Sequence, residues 1–264
     1  MLLALTLFEQ GIRQLSSLSH AIGIPSDQET GVVKLFQCLS QSWGDRQMAD
    51  PPPWSAVTDD CSPYEFSVAI SPRGFELRML AEAQSDPASP ASYWEASMRL
   101  NQHLAESWGA DLGRLNLIES LFTPTQPVWF AAMHGVVLWP LEAPLFKIYL
   151  NPAAQGCHLA ARVVESALIR LGFGASWSLI ETQLENDGVL QGFSLDLSSE
   201  ARARIKIYVR FPAATPKRFC SAIETVDPKL AACAKRFIPS LFGQELDRLP
   251  RPPMVVYTLR SGSP

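Results

Sequence analysis

Apolar side chains at Leu5, Phe8, Ile12, Leu15 and Leu18 fall three and four residues apart, which predicts an amphipathic helix over residues 2–22. A second helix is predicted over Gly31 to Trp43. From Asp45 to Pro63 the period is lost and Pro51-Pro52-Pro53 intervenes, so an extended connector is expected there. The pattern then changes to alternation. Glu65–Ile70 and Phe75–Ala81 flank Ser71-Pro72-Arg73-Gly74, which predicts a β-hairpin. Helical spacing returns over Tyr93 to Trp108 and more briefly over Leu112 to Leu121. Strands are expected at Val128–Trp139 and Phe146–Leu150, a helix at Leu159–Leu171, and strands at Gly192–Leu197 and Arg204–Phe211. Helices over Lys217–Ile223 and Pro228–Phe237 precede a last strand, Met254–Leu259.

The recurring unit is helix, helix, strand, strand, at a period of roughly 55 to 65 residues. This is an α/β chain of repeats forming one domain over 1–264, with 1–63 as helical lead and linker and 64–264 as the repeats. The apolar share of 47% excludes a disordered chain, and the 18% of charged residues lies below the roughly 25% usual for globular domains. The net charge of −4 is too mild to imply a charged partner, but its distribution is uneven. From Glu200 onward Lys and Arg outnumber Asp and Glu by 12 to 5, whereas residues 1–199 carry 10 against 21. Such asymmetry fits an anion site or a merely dipolar surface.

Five widely spaced cysteines without a C-x-x-C pair read as reduced thiols of a cytoplasmic protein. The apolar opening lacks a basic flank and is interrupted by Glu9 and Arg13, so neither a signal peptide nor a membrane helix is expected. His20, His103, His134 and His158 share no metal-ligand spacing and are expected as surface or capped histidines. No nucleophile elbow, phosphate-binding glycine loop or dinucleotide fingerprint is present.

Alternation carries the chemistry. In Arg204-Ile205-Lys206-Ile207-Tyr208-Val209-Arg210 one face holds Arg204, Lys206, Tyr208 and Arg210, and the other Ile205, Ile207 and Val209. In Leu145–Leu150 the same rule joins Lys147 and Tyr149. If helices cover the apolar faces, the cationic and aromatic faces point to water or to a barrel lumen. A hairpin symmetric about Pro72 and Arg73 sets Ser67 opposite Arg78, with Glu65 two residues along on the same face. Glu65 then stands as a lone acid among Arg78, Lys147, Arg204 and Lys206. Cations interleaved with tyrosines suit a multiply charged anion, such as a diphosphate, beside a carbocation. Nucleic acid is not indicated, because Arg204, Lys206 and Arg210 share this face, and Lys217, Arg218, Lys235 and Arg236 read as solvated helix residues.

Three stretches resemble the aromatic (indole) prenyltransferases of the dimethylallyltryptophan synthase type. They are Thr58-Asp59-Asp60-Cys61-Ser62-Pro63-Tyr64-Glu65-Phe66-Ser67, Phe146-Lys147-Ile148-Tyr149-Leu150-Asn151-Pro152, and Arg204-Ile205-Lys206-Ile207-Tyr208. The resemblance implies an antiparallel β-barrel of ααββ repeats ringed by helices, ten-stranded in the family. Seven strands are expected here, since Met254–Arg260 resembles the first strand of the fourth repeat, leaving the barrel incomplete.

The resemblance further implies transfer of a dimethylallyl or longer prenyl group from its diphosphate to an indole or tryptophan-like acceptor. It makes Glu65 the residue that hydrogen-bonds the indole N–H and takes charge or a proton. It makes Arg78, Lys147, Arg204 and Lys206 diphosphate ligands, and Tyr149 and Tyr208 part of a shield around the allyl cation. No cofactor and no metal is implied: Pro63 stands where a D-D-x-x-D motif starting at Asp59 would need its third aspartate. Partners are expected to be small molecules, with no nucleic acid and no membrane. A homo-oligomer or a strand-supplying partner would relieve the open edge. A second reading is a non-catalytic relic that holds a hydrophobic ligand or serves in assembly.

Overall fold

Thr6 starts the first helix, α1 (Leu7–Ile22), in a capping box: its hydroxyl accepts from the Glu9 N–H at 3.1 Å and the Glu9 carboxylate accepts from the Thr6 N–H at 2.9 Å. The computed structural model describes residues 5–48, 54–72, 74–199, 203–213, 215–243 and 247–260. The Pro51-Pro52-Pro53 run and Arg73 of the hairpin turn lie outside the described residues, as do residues 2–4 of the expected first helix. After α1 come α2 (Ser26–Ser40), β1 (Tyr64–Ser71), β2 (Gly74–Ala81), α3 (Pro90–Trp108), α4 (Gly113–Asn116) and α5 (Glu119–Phe122). Then follow β3 (Ala132–Leu138), β4 (Leu145–Leu150), α6 (Ala160–Arg170), α7 (Trp177–Glu185), β5 (Val189–Asp196), β6 (Arg204–Arg210), α8 (Pro216–Glu224), α9 (Pro228–Phe242) and β7 (Met254–Arg260). The ααββ order holds through the described chain.

The strands form one antiparallel sheet in sequence order, β1-β2-β3-β4-β5-β6-β7, and β1 and β7 are not paired with each other. The sheet is an open half-barrel, as the incomplete repeat count implies. Successive antiparallel neighbours follow from short connections within each ββ pair and helical excursions between pairs.

The helices bury one face of the sheet. On β6, Ile205, Ile207 and Val209 are fully buried, and α6 meets the sheet with Val163, Val164, Ala167 and Leu168, the spacing of a single helical stripe. Phe36 of α2 is the centre of an aromatic cluster with Phe8, Trp43, Tyr64 and Phe66, at centroid distances of 5.1 to 6.0 Å. Trp43 also donates its indole N–H to the Glu82 carbonyl at 2.9 Å. These contacts pin the two lead helices to the first hairpin.

Several boundaries differ from the pattern reading. Helix α2 begins at Ser26 rather than Gly31, because Asp27 and Glu29 favour a first helical turn although they add nothing to the apolar stripe. Helix α7 was not foreseen; its nine residues are too few to establish a period. Strand β3 starts at Ala132 instead of Val128, so Trp129 and Trp139 lie outside it, Trp129 half exposed. His134 is a buried core residue, not a surface one, with Nε2 2.9 Å from Asn101 Oδ1. All five cysteines are free. No helix among the described residues is long and apolar enough to cross a membrane.

Gly11 shows how tightly α1 is seated. A Cβ there would lie 2.4 Å from Phe36 Cε1 and Cζ. Ala at a helix interior normally gains about 1 kcal/mol over Gly, but pushing the Phe36 ring out of this cluster costs about 1–3 kcal/mol. Gly11→Ala is therefore expected to lower the thermal midpoint by several degrees, measured by calorimetry. An increase would show that α1 is loosely held.

Candidate active site

Register assigns each strand's uncovered face. Ser67 pairs with Arg78 and Glu65 with Leu80, so the hairpin is symmetric about Pro72 and position 73, as its turn sequence implies. Following the ladder, Arg78 is opposite Val137, Gly135 opposite Lys147, Lys147 opposite Asp196, Tyr149 opposite Ser194, and Ser194 opposite Lys206. Tyr208 is opposite Gly192 and Val256, and Arg204 opposite Arg260. Because partners in register share a face, Glu65, Arg78, Lys147, Tyr149, Arg204, Lys206 and Tyr208 all lie on the face that the helices leave open. The alternation had grouped them so.

Three acids of the described strands share this face, so the expectation of a lone Glu65 is corrected. Glu76 is one, ion-paired to Arg78, whose Nε donates to its carboxylate at 2.7 Å. Asp196 is the other, buried at 5% exposure, and its Oδ2 accepts from both the backbone N–H (3.0 Å) and Nε (2.8 Å) of Arg204. Arg210 and Arg260 are further cations on the same strand faces. All four, Glu76, Asp196, Arg210 and Arg260, obey the same parity rule that grouped the others. Their absence from the motif segments hid Glu76, Asp196 and Arg260, while Arg210 had been placed on the face without a role.

The open face is strongly cationic between β2 and β6. Lys147 is 7% exposed, and its ammonium has no hydrogen-bond partner among the described residues. Burial lowers its pKa to about 8, with the Arg204, Lys206 and Arg78 charges pushing the same way and Asp196 opposing them. Lys206 is lowered as well, first by burial and then by Arg204 and Arg78. Tyr149 and Tyr208 lie with ring centroids 6.0 Å apart and planes inclined by 48°. Burial first, and then Tyr208, raises the Tyr149 phenol, which keeps that ring neutral at physiological pH. Beneath them a small apolar cluster of Val57, Phe130 and Met133 packs against Leu80 and Tyr149.

Glu65 is exposed on the edge strand and has no hydrogen-bond or ion-pair partner among the described residues. It also lines a cavity of about 1130 Å³ formed by α1, the 58–62 loop and the start of β1. Asp60 in that loop is a structural residue: its carboxylate accepts from the Thr58 hydroxyl at 2.6 Å and the Ser62 N–H at 3.0 Å, which holds it below the usual carboxylate range. No group of three or more His, Cys, Asp or Glu side chains that could hold a metal ion occurs among the described residues.

The profile of the tryptophan dimethylallyltransferase family matches residues 11–225. The chain belongs to this family. It is similar to a solved 6-dimethylallyl tryptophan synthase, at 28% identity and a TM-score of 0.90 over 98% of this chain and 75% of that one. The structure of 6-dimethylallyltryptophan synthase from Micromonospora olivasterospora in complex with DMASPP and Trp is similar at 28% identity and a TM-score of 0.89, with the same coverage. The binary complex of PriB with product diphosphate follows at 25% identity and 0.86, over 98% of this chain and 73% of that one. The half-barrel of this tryptophan dimethylallyltransferase family member superposes on those structures over nearly its whole length.

Lys147 illustrates the cost of such a face. Its folded pKa lies below the unfolded value, so at pH 7 the fold carries a charge it would rather lose, and stability rises as pH climbs from about 8 toward the unfolded lysine value. Lys147→Met is expected to stabilise the fold at pH 7 by about 1–3 kcal/mol, seen as a higher thermal midpoint. The gain should vanish near pH 10.5, where unfolded lysine is itself half deprotonated. A midpoint that falls at pH 7 would mean that Lys147 is instead stabilised by its surroundings.

Proposed function

We propose that the chain transfers a dimethylallyl group from dimethylallyl diphosphate to the indole ring of tryptophan or a tryptophan-like acceptor. The observation that carries this reading is the buried, unpartnered Lys147 ammonium, flanked by Arg204, Lys206 and Arg78 and adjoined by the Tyr149–Tyr208 pair. It is supported by family membership and by similarity to a synthase bound to DMASPP and Trp and to PriB bound to diphosphate.

In this reading Lys147, Arg204, Lys206 and Arg78 bind the diphosphate. As the allylic C–O bond breaks, its electron pair stays with the diphosphate, and the fixed cations stabilise the charge that grows there. Those side chains supply the positive charge that a divalent metal would otherwise bring, so a chelator is expected to leave turnover unchanged. The faces of Tyr149 and Tyr208 stabilise the allyl cation and keep water from it. A ring carbon of the indole attacks, a carbon–carbon bond forms, and the ring proton at that carbon passes to the released diphosphate or to water as the ring regains its aromaticity. Glu65 accepts the indole N–H hydrogen bond and balances the positive charge on the ring.

The free edge of β7 bears on partners. Met254 and Val256 are exposed, and a largely apolar groove of about 790 Å³ runs between β7 and α8–α9. Unpaired strand edges beside apolar surface favour association, so a second copy or another chain supplying strands accompanies the catalytic reading. The same observation favours the second reading, a binding or assembly protein without turnover. Five free thiols fit a cytoplasmic setting.

The test is incubation of the purified chain with dimethylallyl diphosphate and tryptophan, read by product mass beside the measured molar mass of the protein. A product heavier by one dimethylallyl group is expected, together with self-association. No product with tryptophan or substituted indoles would contradict the catalytic reading. Glu65→Gln should keep the fold and lose about 100-fold or more in turnover, since an amide accepts the hydrogen bond without balancing the charge. Unchanged turnover would move that role to another group.

A further inference from the structure

The acid in the middle of the cations has no role in the reaction as described, yet among the acids that the described strands carry on the open face it is the most deeply buried. Asp196 ends β5 at the point where β4 and β6 flank it, Lys147 on one side in register and Arg204 on the other. One carboxylate oxygen takes two donors from one residue, the Arg204 backbone N–H and Nε. That grip fixes the guanidinium by its Nε edge. No other hydrogen bond of the Arg204 side chain occurs among the described residues, so its terminal N–H groups stay available.

We propose that Asp196 is the positioning residue of the diphosphate site, holding the Arg204 guanidinium edge-on so that its outer N–H groups face the ligand, and keeping the neighbouring Lys147 ammonium protonated. This rests on the reading of that face as a diphosphate site. The charged and titratable groups facing Lys147 are Arg78, with its partner Glu76, from β2; Asp196 from β5; Arg204 and Lys206 from β6; and Tyr149 on its own strand. β3 contributes Gly135, which has no charge. Of these Asp196 is the one acid in direct register with Lys147. Its removal leaves Lys147 facing three cations with Glu76, already paired to Arg78, as the remaining acid among these groups, and the ammonium gives up its proton at lower pH.

Calorimetric titration of the full chain with inorganic diphosphate, from about pH 6.5 to about pH 9.5, tests this. Wild-type affinity is expected to fall above about pH 8 as Lys147 deprotonates. In Asp196→Asn this limb should move down by about half a pH unit or more, so that binding near pH 8.5 weakens about threefold to tenfold relative to wild type while staying within about threefold near pH 6.5. Lys147→Arg, which stays charged throughout, should remove the limb in both backgrounds. Binding by Asp196→Asn that is equal to wild type at every pH, or tighter by a constant factor, would overturn the proposal and leave Asp196 as a repulsive neighbour only. Should Asp196→Asn not fold, Asp196→Ser takes its place, and failure of both to fold would overturn the proposal in favour of a purely structural residue. No diphosphate binding by wild type near pH 6.5 would refute the site itself and the proposal with it. Wild-type binding with an unmoved limb refutes the proposal alone.

Discussion

Like charges held at strand spacing are the constraint around which this protein is arranged. Lys147 on β4 is separated by one intervening strand from Arg78 on β2 and from Arg204 and Lys206 on β6, about 10 Å at two strand spacings, and two unit charges at that separation repel by about 1.7 kcal/mol at an effective dielectric of 20. Lys147 and Lys206 have no partner among the described residues, and the ion-paired Arg204 and Arg78 add to the field on the same face. Such a face persists because the energy that holds it comes from the opposite side of the sheet. There Ile148, Ile205, Ile207, Val209 and Phe193 are fully buried against helices, and each such side chain contributes about 1.5–3 kcal/mol. Glu76 and Asp196 offset part of the repulsion by pairing with Arg78 and Arg204, and the charge left on Lys147 and Lys206 is what the proposed ligand would neutralise.

The two faces of each strand therefore divide the work. Sequence alternation separates them residue by residue, so that Ile205, Ile207 and Val209 stabilise while Arg204, Lys206 and Tyr208, interleaved with them, stand on the open face as the proposed ligand-binding side chains. Rigidity follows from the same division, because a cation or tyrosine carried mid-strand is fixed by hydrogen bonds on both sides. A diphosphate leaving group needs donors already in place as its charge grows, and an allyl cation needs aromatic faces that do not reorganise. In the proposed reaction both come from β4 and β6. Its open end at β7 is where this chain differs from a closed sheet, and where the uncovered apolar groove lies.

Local rules carried much of this in the sequence. The turn Ser71-Pro72-Arg73-Gly74 fixes the hairpin register, and from it the pairing of Ser67 with Arg78 follows without further information. The K-x-Y strands show their two faces by alternation alone. What stayed hidden depends on contacts between distant segments. Asp196 is an unremarked acid at a strand end until β4 pairs beside it and Arg204 folds back onto its carboxylate. Trp177–Glu185 is too short for its period to be read, and becomes a helix by packing, with Ile180 and Gln183 buried. Val128-Trp129-Phe130 has the apolar character of a strand, yet it forms the approach to β3, where the Phe130 carbonyl accepts from Asn151 Nδ2 at 2.8 Å.

The central claim is that the repelling cations are a diphosphate site, and the thermal midpoint of the full chain during titration with inorganic diphosphate at constant ionic strength measures it directly. Ligand that binds the folded state alone raises stability by about 2.7 kcal/mol at a hundredfold excess over its dissociation constant. The account predicts a saturating rise at pH 7, several degrees larger than that given by sulfate and much reduced near pH 10, where Lys147 is neutral. A midpoint that does not move, or that moves equally with sulfate and diphosphate, would contradict it.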